Sequence, residues 1–327
     1  MSNKRQDIQG LRGWAISMVL LFHFFPSYFP NGYIGVDIFF VISGFLIAMI
    51  LSKEDYLSFT VIVMFYYKRM KRILPLYYVV IVSILLSLLL LLPRRYQAVN
   101  MESAWKAITF TSNLKKRNIE LDYQRTLLGA EDLFVHTWSL CVELQWYLLL
   151  PMIFIVQRSI TSREKFFFTG VALCSGFYYI SLEKHQMVQF YSVFARIWQL
   201  ASGVMAFLAS KTVAEPSTLH TNWKEDKEER ERNTQQRLLA AVSVVLSIFI
   251  AVVSLAWVPF PPSLLRFSLT VLCAVLIYVG SLHQTILYTN VIASYVGNIS
   301  YALYLIHWPV FVVVNTLSCH EGFGLCF

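Results

Sequence analysis

Residues 20–40 read LLFHFFPSYFPNGYIGVDIFF. Two apolar runs meet at a turn where Gly32 and Gly35 let the chain reverse tightly. The first run reaches back to residue 11 and the second forward to residue 51, which is the pattern of two membrane-spanning helices joined by a short connection. One histidine, His23, stands in the outer part of the first run, and one aspartate, Asp37, at the start of the second. The turn that reverses the chain brings Asp37 back towards His23.

The same pattern continues along the chain. Further apolar runs near 73–92, 133–156, 166–181, 190–209, 237–258, 264–281 and 298–317 bring the expected spans to nine. A tenth, re-entrant or half span fits between 98 and 132. Of the 327 residues, 57% are apolar and only 14% charged, against roughly 25% charged in average soluble domains. With a mean hydropathy of +0.57, this composition excludes disorder, a coiled coil and an ordinary cytosolic enzyme. It implies an all-α, polytopic transmembrane bundle of nine to ten spans. The net charge of +8 does not mark a nucleic-acid binder, because the basic residues cluster at the ends of apolar segments.

Those clusters set the orientation. Lys4, Arg5 and Arg12 precede the first span, and Lys68, Arg69, Lys71 and Arg72 the third. Arg158, Arg163 and Lys165 follow the fourth, and residues 224–232, KEDKEERER, follow the sixth. All four groups fall on one side, which the positive-inside rule makes cytoplasmic, together with the amino terminus. The loop 93–132 dissents, placing Arg94, Arg95, Lys115, Lys116, Arg117 and Arg125 outside. The start resembles a signal peptide, but Arg12 and His23 interrupt the apolar stretch and no A-x-A site follows, so it reads as an uncleaved span. The five cysteines show no CxxC pair or zinc spacing; only Cys319 and Cys326 are placed to bridge.

An ionisable group inside a span is costly and calls for a function or a partner. A histidine beside a carboxylate is a general base poised near neutral pH, and His23 with Asp37 fits that description; a core histidine satisfied by a carbonyl fits it too. Arg69 and Arg72 are three residues apart and share a helix face, suited to phosphate or to anionic lipid. His136, Glu143 and Tyr147 fall on one face of a helix, and a metal site there lacks a third ligand of suitable spacing. Arg196 and His307 stand at or in spans, where interhelical hydrogen bonding accounts for them equally well.

Taken in order, these segments resemble the acyltransferase 3 family of membrane O-acyltransferases. The resemblance rests on RQDIQGLRG (5–13), Phe22-His23, GVDIFFVISGF (35–45), Arg69-x-x-Arg72-x-x-Pro75 and Trp138-Ser139-Leu140-x-x-Glu143. It continues with Arg196-x-x-x-Leu200-x-x-Gly203 and GNISYALYLIHWP (297–309), and covers nearly the entire chain. Two positions depart: Leu144 stands where a second acidic residue is frequent, and Gln199 where a Glu commonly follows the arginine. Details around FPNGYIGVD and FYYKRMKRILPLYY look like an animal branch of the family.

The resemblance implies a transmembrane acyltransferase domain over 5–315, with a charged cytoplasmic loop at 211–236 and a short tail at 316–327. Some members carry a further lumenal hydrolase-like domain after this region; the sequence stops at Phe327, too soon for one, and the tail 318–327 fits a truncated form as well as a full one. The implied activity is transfer of an acyl group, usually acetyl, from a cytoplasmic acyl-CoA to a hydroxyl acceptor: a glycan, a lipid or another small molecule. No cofactor is permanently bound. His23, Asp37 and Glu143 are the implied catalytic group; Arg12, Arg69 and Arg72 hold the CoA phosphates; His136, Arg196 and His307 support them. Arg12 and His23 lie about 16 Å apart along a helix, a gap that a pantetheine arm spans. Direct transfer and a transient acyl-His are both compatible. A transporter or channel, or a truncated silent homologue, are the alternatives. The membrane is the plasma membrane or an endomembrane.

Overall fold

The computed structural model describes residues 5–54, 56–114, 131–213, 225–283 and 286–320. Twelve helices and no strand occur among them. In chain order they are α1 (Gln6–Phe24), α2 (Ile34–Leu51), α3 (Phe59–Leu90), α4 (Arg94–Ile108), α5 (Thr137–Ile160) and α6 (Glu164–Ser181). They continue with α7 (Gln186–Tyr191), α8 (Ile197–Val213), α9 (Glu225–Leu255), α10 (Pro262–Leu282), α11 (Ile286–Thr289) and α12 (Val291–His320).

Six helices among the described residues are long and apolar enough to cross a membrane: α2, α3, α5, α10, and the segments Thr234–Leu255 of α9 and Val291–Ser318 of α12. The chain is an integral membrane protein. Apolar side chains stand exposed in helical stripes, Val79, Val82, Leu86 and Leu89 on α3 and Val245, Ile248 and Val252 on α9, as lipid-facing surfaces require. Pro75, Pro151 and Pro309 lie inside helices, which neighbouring helices make tolerable in a membrane.

Several expected boundaries move. The first span ends at Phe24 and not at 29, because a turn through Pro26 and Pro30 begins there; α1 is not among the six. The expected span 166–181 appears as α6, also outside the six. The span 190–209 is broken: α7 stops at Tyr191 and α8 starts at Ile197. Arg196 causes the break to hold, its Nε donating to the carbonyl of Phe190 at 3.1 Å and so capping α7. The basic group 68–72 lies inside α3, which starts at Phe59, and not ahead of the helix. At the start of the range expected to hold a half span, 94–108 forms α4, which carries Arg94, Arg95, Glu102 and Lys106; residues 115–130 lie outside the described residues. Its end is made by Phe110 in the left-handed region, φ 54°, stacked on Tyr77 at 4.6 Å. Lys115, Lys116, Arg117, Arg125 and Cys326 lie outside the described residues.

The chain divides into two units. The first comprises 1–53, 161–174 and 198–300. In it α1 packs on α2, α2 on α10, and α10 on α9, around Leu11, Ala15, Ile38, Val41, Phe45 and Leu269. Lipid tails are as apolar as leucine, so close backbone approach must replace the hydrophobic effect between such helices. Two glycines supply it where α2 crosses α8. A Cβ on Gly44 would lie 1.9 Å from the carbonyl oxygen of Leu200, and one on Gly203 would lie 1.9 Å from that of Val41. The second unit comprises 54–160, 175–197 and 301–327. Here α3 packs on α4 and α5, pinned by the Tyr77 hydroxyl donating to Ala107 at 2.8 Å and the Tyr66 hydroxyl to Leu148 at 3.0 Å.

Candidate active site

In the first unit, His23 occupies the last turn of α1. Its Nδ1 lies 2.8 Å from the carbonyl of Val19. A carbonyl only accepts, so Nδ1 carries the proton and the basic lone pair of the neutral ring belongs to Nε2. The ring meets Phe22 edge-on at 5.1 Å, and Phe22 in turn meets Tyr33 at 5.7 Å. The guanidinium of Arg266, from α10, lies over the Tyr33 ring at 5.3 Å.

Asp37 sits in the first turn of α2, where the helix dipole favours a carboxylate. Gln199 Nε2, from α8, donates to its Oδ1 at 2.6 Å, and Arg266 Nε lies 3.9 Å from its Oδ2. All three side chains are buried. The connection between α1 and α2 is fastened by Asn31, whose amide donates to the carbonyls of Ala256 and Val258 at 3.1 and 2.8 Å and whose oxygen accepts from Phe260 N–H at 3.1 Å. Those acceptors lead directly into α10, which carries Arg266. Arg12 is half-buried on α1.

In the second unit, Arg69 is buried, with its guanidinium over Phe65 at 5.7 Å and Tyr147 at 5.3 Å. The Tyr147 hydroxyl donates to Glu143. Lys68 and Arg72 are exposed. Tyr301 donates to the carbonyl of Ile73 at 2.9 Å and lies in the field of both Glu143 and Arg72. His136 and His307 are buried with their rings 5.8 Å apart. Tyr304 ties them together: its hydroxyl donates to the carbonyl of His136 at 2.8 Å, and its own carbonyl lies 2.7 Å from His307 Nδ1. Arg196 is fully buried among Trp138, Tyr179 and Phe190. Among the described residues no group of three or more His, Cys, Asp or Glu side chains is placed to hold a metal ion.

The residues picked out in the sequence therefore fall into two sets: His23, Asp37 and Arg12 in the first unit, and Arg69, Arg72, Glu143, His136, Arg196 and His307 in the second. Glu143 is engaged by Tyr147, and Asp37 by Gln199 and Arg266. Arg69 and Arg72, read as equivalent, differ: one is enclosed by rings and the other exposed. Arg266, Tyr33 and Asn31 were missed. Arg266 carried the same signal as His23, an ionisable group within an apolar run. Asn31 carried none, since its partners lie more than 220 residues away.

A bundle of membrane helices with ionisable side chains buried inside it defines an integral membrane protein with internal polar chemistry. A family model described as "Acyltransferase domain" matches residues 5–325. The chain belongs to this acyltransferase 3 family, and is an acyltransferase moving groups other than aminoacyl groups. It is 27% identical over 328 residues to a protein named as a membrane-bound transacylase, BcsY, of Komagataeibacter xylinus, covering 98% of this chain and 77% of that one. It is 29% identical over 154 residues to the O-acetyltransferase OatA of Staphylococcus aureus, covering 46% of this chain and 25% of OatA. These relatives are bacterial, and they give the animal-branch placement no support. No solved structure matches the chain significantly.

Proposed function

We propose that the protein transfers an acyl group, acetyl in the first instance, from acyl-CoA to a hydroxyl acceptor, with His23 as general base. The observation that carries this reading is the Nδ1 contact to Val19, which assigns the basic lone pair to Nε2. In the reaction Nε2 takes the proton of the acceptor hydroxyl while its oxygen attacks the thioester carbonyl. The carbon–sulfur bond then breaks, and the imidazolium returns the proton to the departing CoA thiolate. Asp37 offsets the charge that appears on the ring, and Glu143, held by Tyr147, orders the aromatic groups around Arg69. Arg72, exposed, and Arg69, fixed by Phe65 and Tyr147, supply guanidinium groups for the CoA phosphates, and Arg12 is a candidate for the same role by the resemblance. His136, Arg196 and His307 support the second unit from within. The names of the relatives favour acetyl as the acyl group and oxygen as the acceptor atom. The amino terminus and the 211–236 segment face the cytoplasm on the positive-inside rule.

The test is transfer of label from radiolabelled acetyl-CoA, in membranes containing the full chain, to a panel of glycan and lipid hydroxyl acceptors. His23→Ala should lower the rate by ~10²–10⁴-fold while leaving acyl-CoA binding intact, and Asp37→Asn by less. Undiminished transfer by His23→Ala overturns the assignment.

A further inference from the structure

The proposed reaction gives no task to Arg266 or Gln199, yet both are buried against Asp37, Gln199 at 0% and Arg266 at 6% exposure. Three helices contribute to this contact: α2 the carboxylate, α8 the amide and α10 the guanidinium. Replacing a buried ion pair by apolar side chains of similar size is frequently neutral or stabilising. The pair buried here is therefore poorly explained by stability alone. Its surroundings indicate a use. Arg266 faces Asp37 at 3.9 Å on one side and lies over the Tyr33 ring on the other, and Tyr33 leads through Phe22 to the His23 ring. The contacts from Arg266 to His23 are thus continuous within one unit. Gln199 fixes the orientation of the carboxylate from the opposite side, and a Glu at this position would set two acidic groups against each other.

We infer that Arg266 and Gln199 are positioning residues for acyl transfer, acting by holding Asp37, the carboxylate proposed to offset the charge on His23. This rests on His23 being the base. A positioning residue lowers turnover without weakening substrate binding, and its effect vanishes once the residue it works through is changed.

The experiment is a double-mutant cycle on purified full-length protein in detergent, with kcat and both KM values taken per folded, monodisperse enzyme. Arg266→Met and Asp37→Asn should each lower kcat by about tenfold or more with KM for acetyl-CoA and acceptor nearly unchanged. The double variant should be no slower than the slower single variant, and should be recovered in better yield than Arg266→Met, since the stranded carboxylate is gone. Arg266→Lys, which keeps the charge, should regain part of the rate. Losses that multiply in the double variant, or a wild-type kcat in Arg266→Met, overturn the inference and leave His23 as base. His23→Ala run in parallel separates the two ideas: its full activity would remove the base and the positioning role together.

Discussion

Gly203→Ala adds one methyl group at the crossing of α2 and α8. The added Cβ would stand 1.9 Å from the carbonyl oxygen of Val41 and 2.7 Å from the amide nitrogen of Phe45. Both are backbone atoms and cannot swing aside, so the helices must part by about 1.5 Å to reach ordinary contact, with an overpacking cost of about 1–3 kcal/mol. Gln199 lies one helical turn before Gly203, and Asp37 one turn before Val41. The same separation therefore stretches the 2.6 Å bond between them past hydrogen-bonding distance. A hydrogen bond to a charged group contributes about 1.5–3 kcal/mol, so the combined destabilisation should reach about 2.5–6 kcal/mol. Acetyl transfer should fall with it, although no atom of Gly203 belongs to the proposed reaction. Gly170→Ala is the control, being exposed with nothing within 4 Å of the added atom. It should leave both properties unchanged, or raise stability slightly through helix propensity. Thermal unfolding in detergent and initial transfer rates measure the two effects. A Gly203→Ala protein with wild-type midpoint and rate would refute the reasoning.

Arg72→Ala should raise the KM for acyl-CoA by about tenfold with little change in yield, as one charge-assisted phosphate contact is lost. Arg69→Ala should raise it too and also lower yield, because its contacts to Phe65 and Tyr147 are each worth about 0.5–2 kcal/mol; saturation curves for both with unchanged KM would make the cluster a lipid belt instead. For topology, a cysteine introduced within 224–232 should react with an impermeant thiol reagent only after the cytoplasmic face is opened. Labelling in intact cells would reverse the orientation.

The helical class of the protein was legible from hydropathy alone, since an apolar run has to satisfy its backbone within a helix wherever lipid surrounds it. The second span, 34–51, was read at its true limits, because Asn31-Gly32 before it and Ser52-Lys53-Glu54 after it mark both ends. Where a boundary moved, a local event outside the hydropathy signal moved it. Arg196 bonds to Phe190 and divides one apolar run into two helices, and α3 continues for several turns beneath its basic residues. The ordered motifs marked His23, Asp37 and the arginines, but not their company. Asp37 meets Gln199 and Arg266 because three helices converge, and convergence is a property of the crossings that Gly44 and Gly203 permit. The sequence shows those glycines without saying whose carbonyl each one meets.

The contact between Asp37 and Gln199 joins positions 162 residues apart, and that distance is also a time. A ribosome adding 5–20 residues each second needs about 8–30 s to travel it, and Arg266 emerges later still. Asp37 thus enters the bilayer in the second helix to be made, long before either partner has been synthesised. During that interval the carboxylate depends on the insertion machinery, or on the bilayer surface, for company. The arrival of α10 is then registered at this contact: a chain halted before it lacks the guanidinium that faces Asp37 at 3.9 Å. The same three side chains that order the proposed site so report whether α10 has been made.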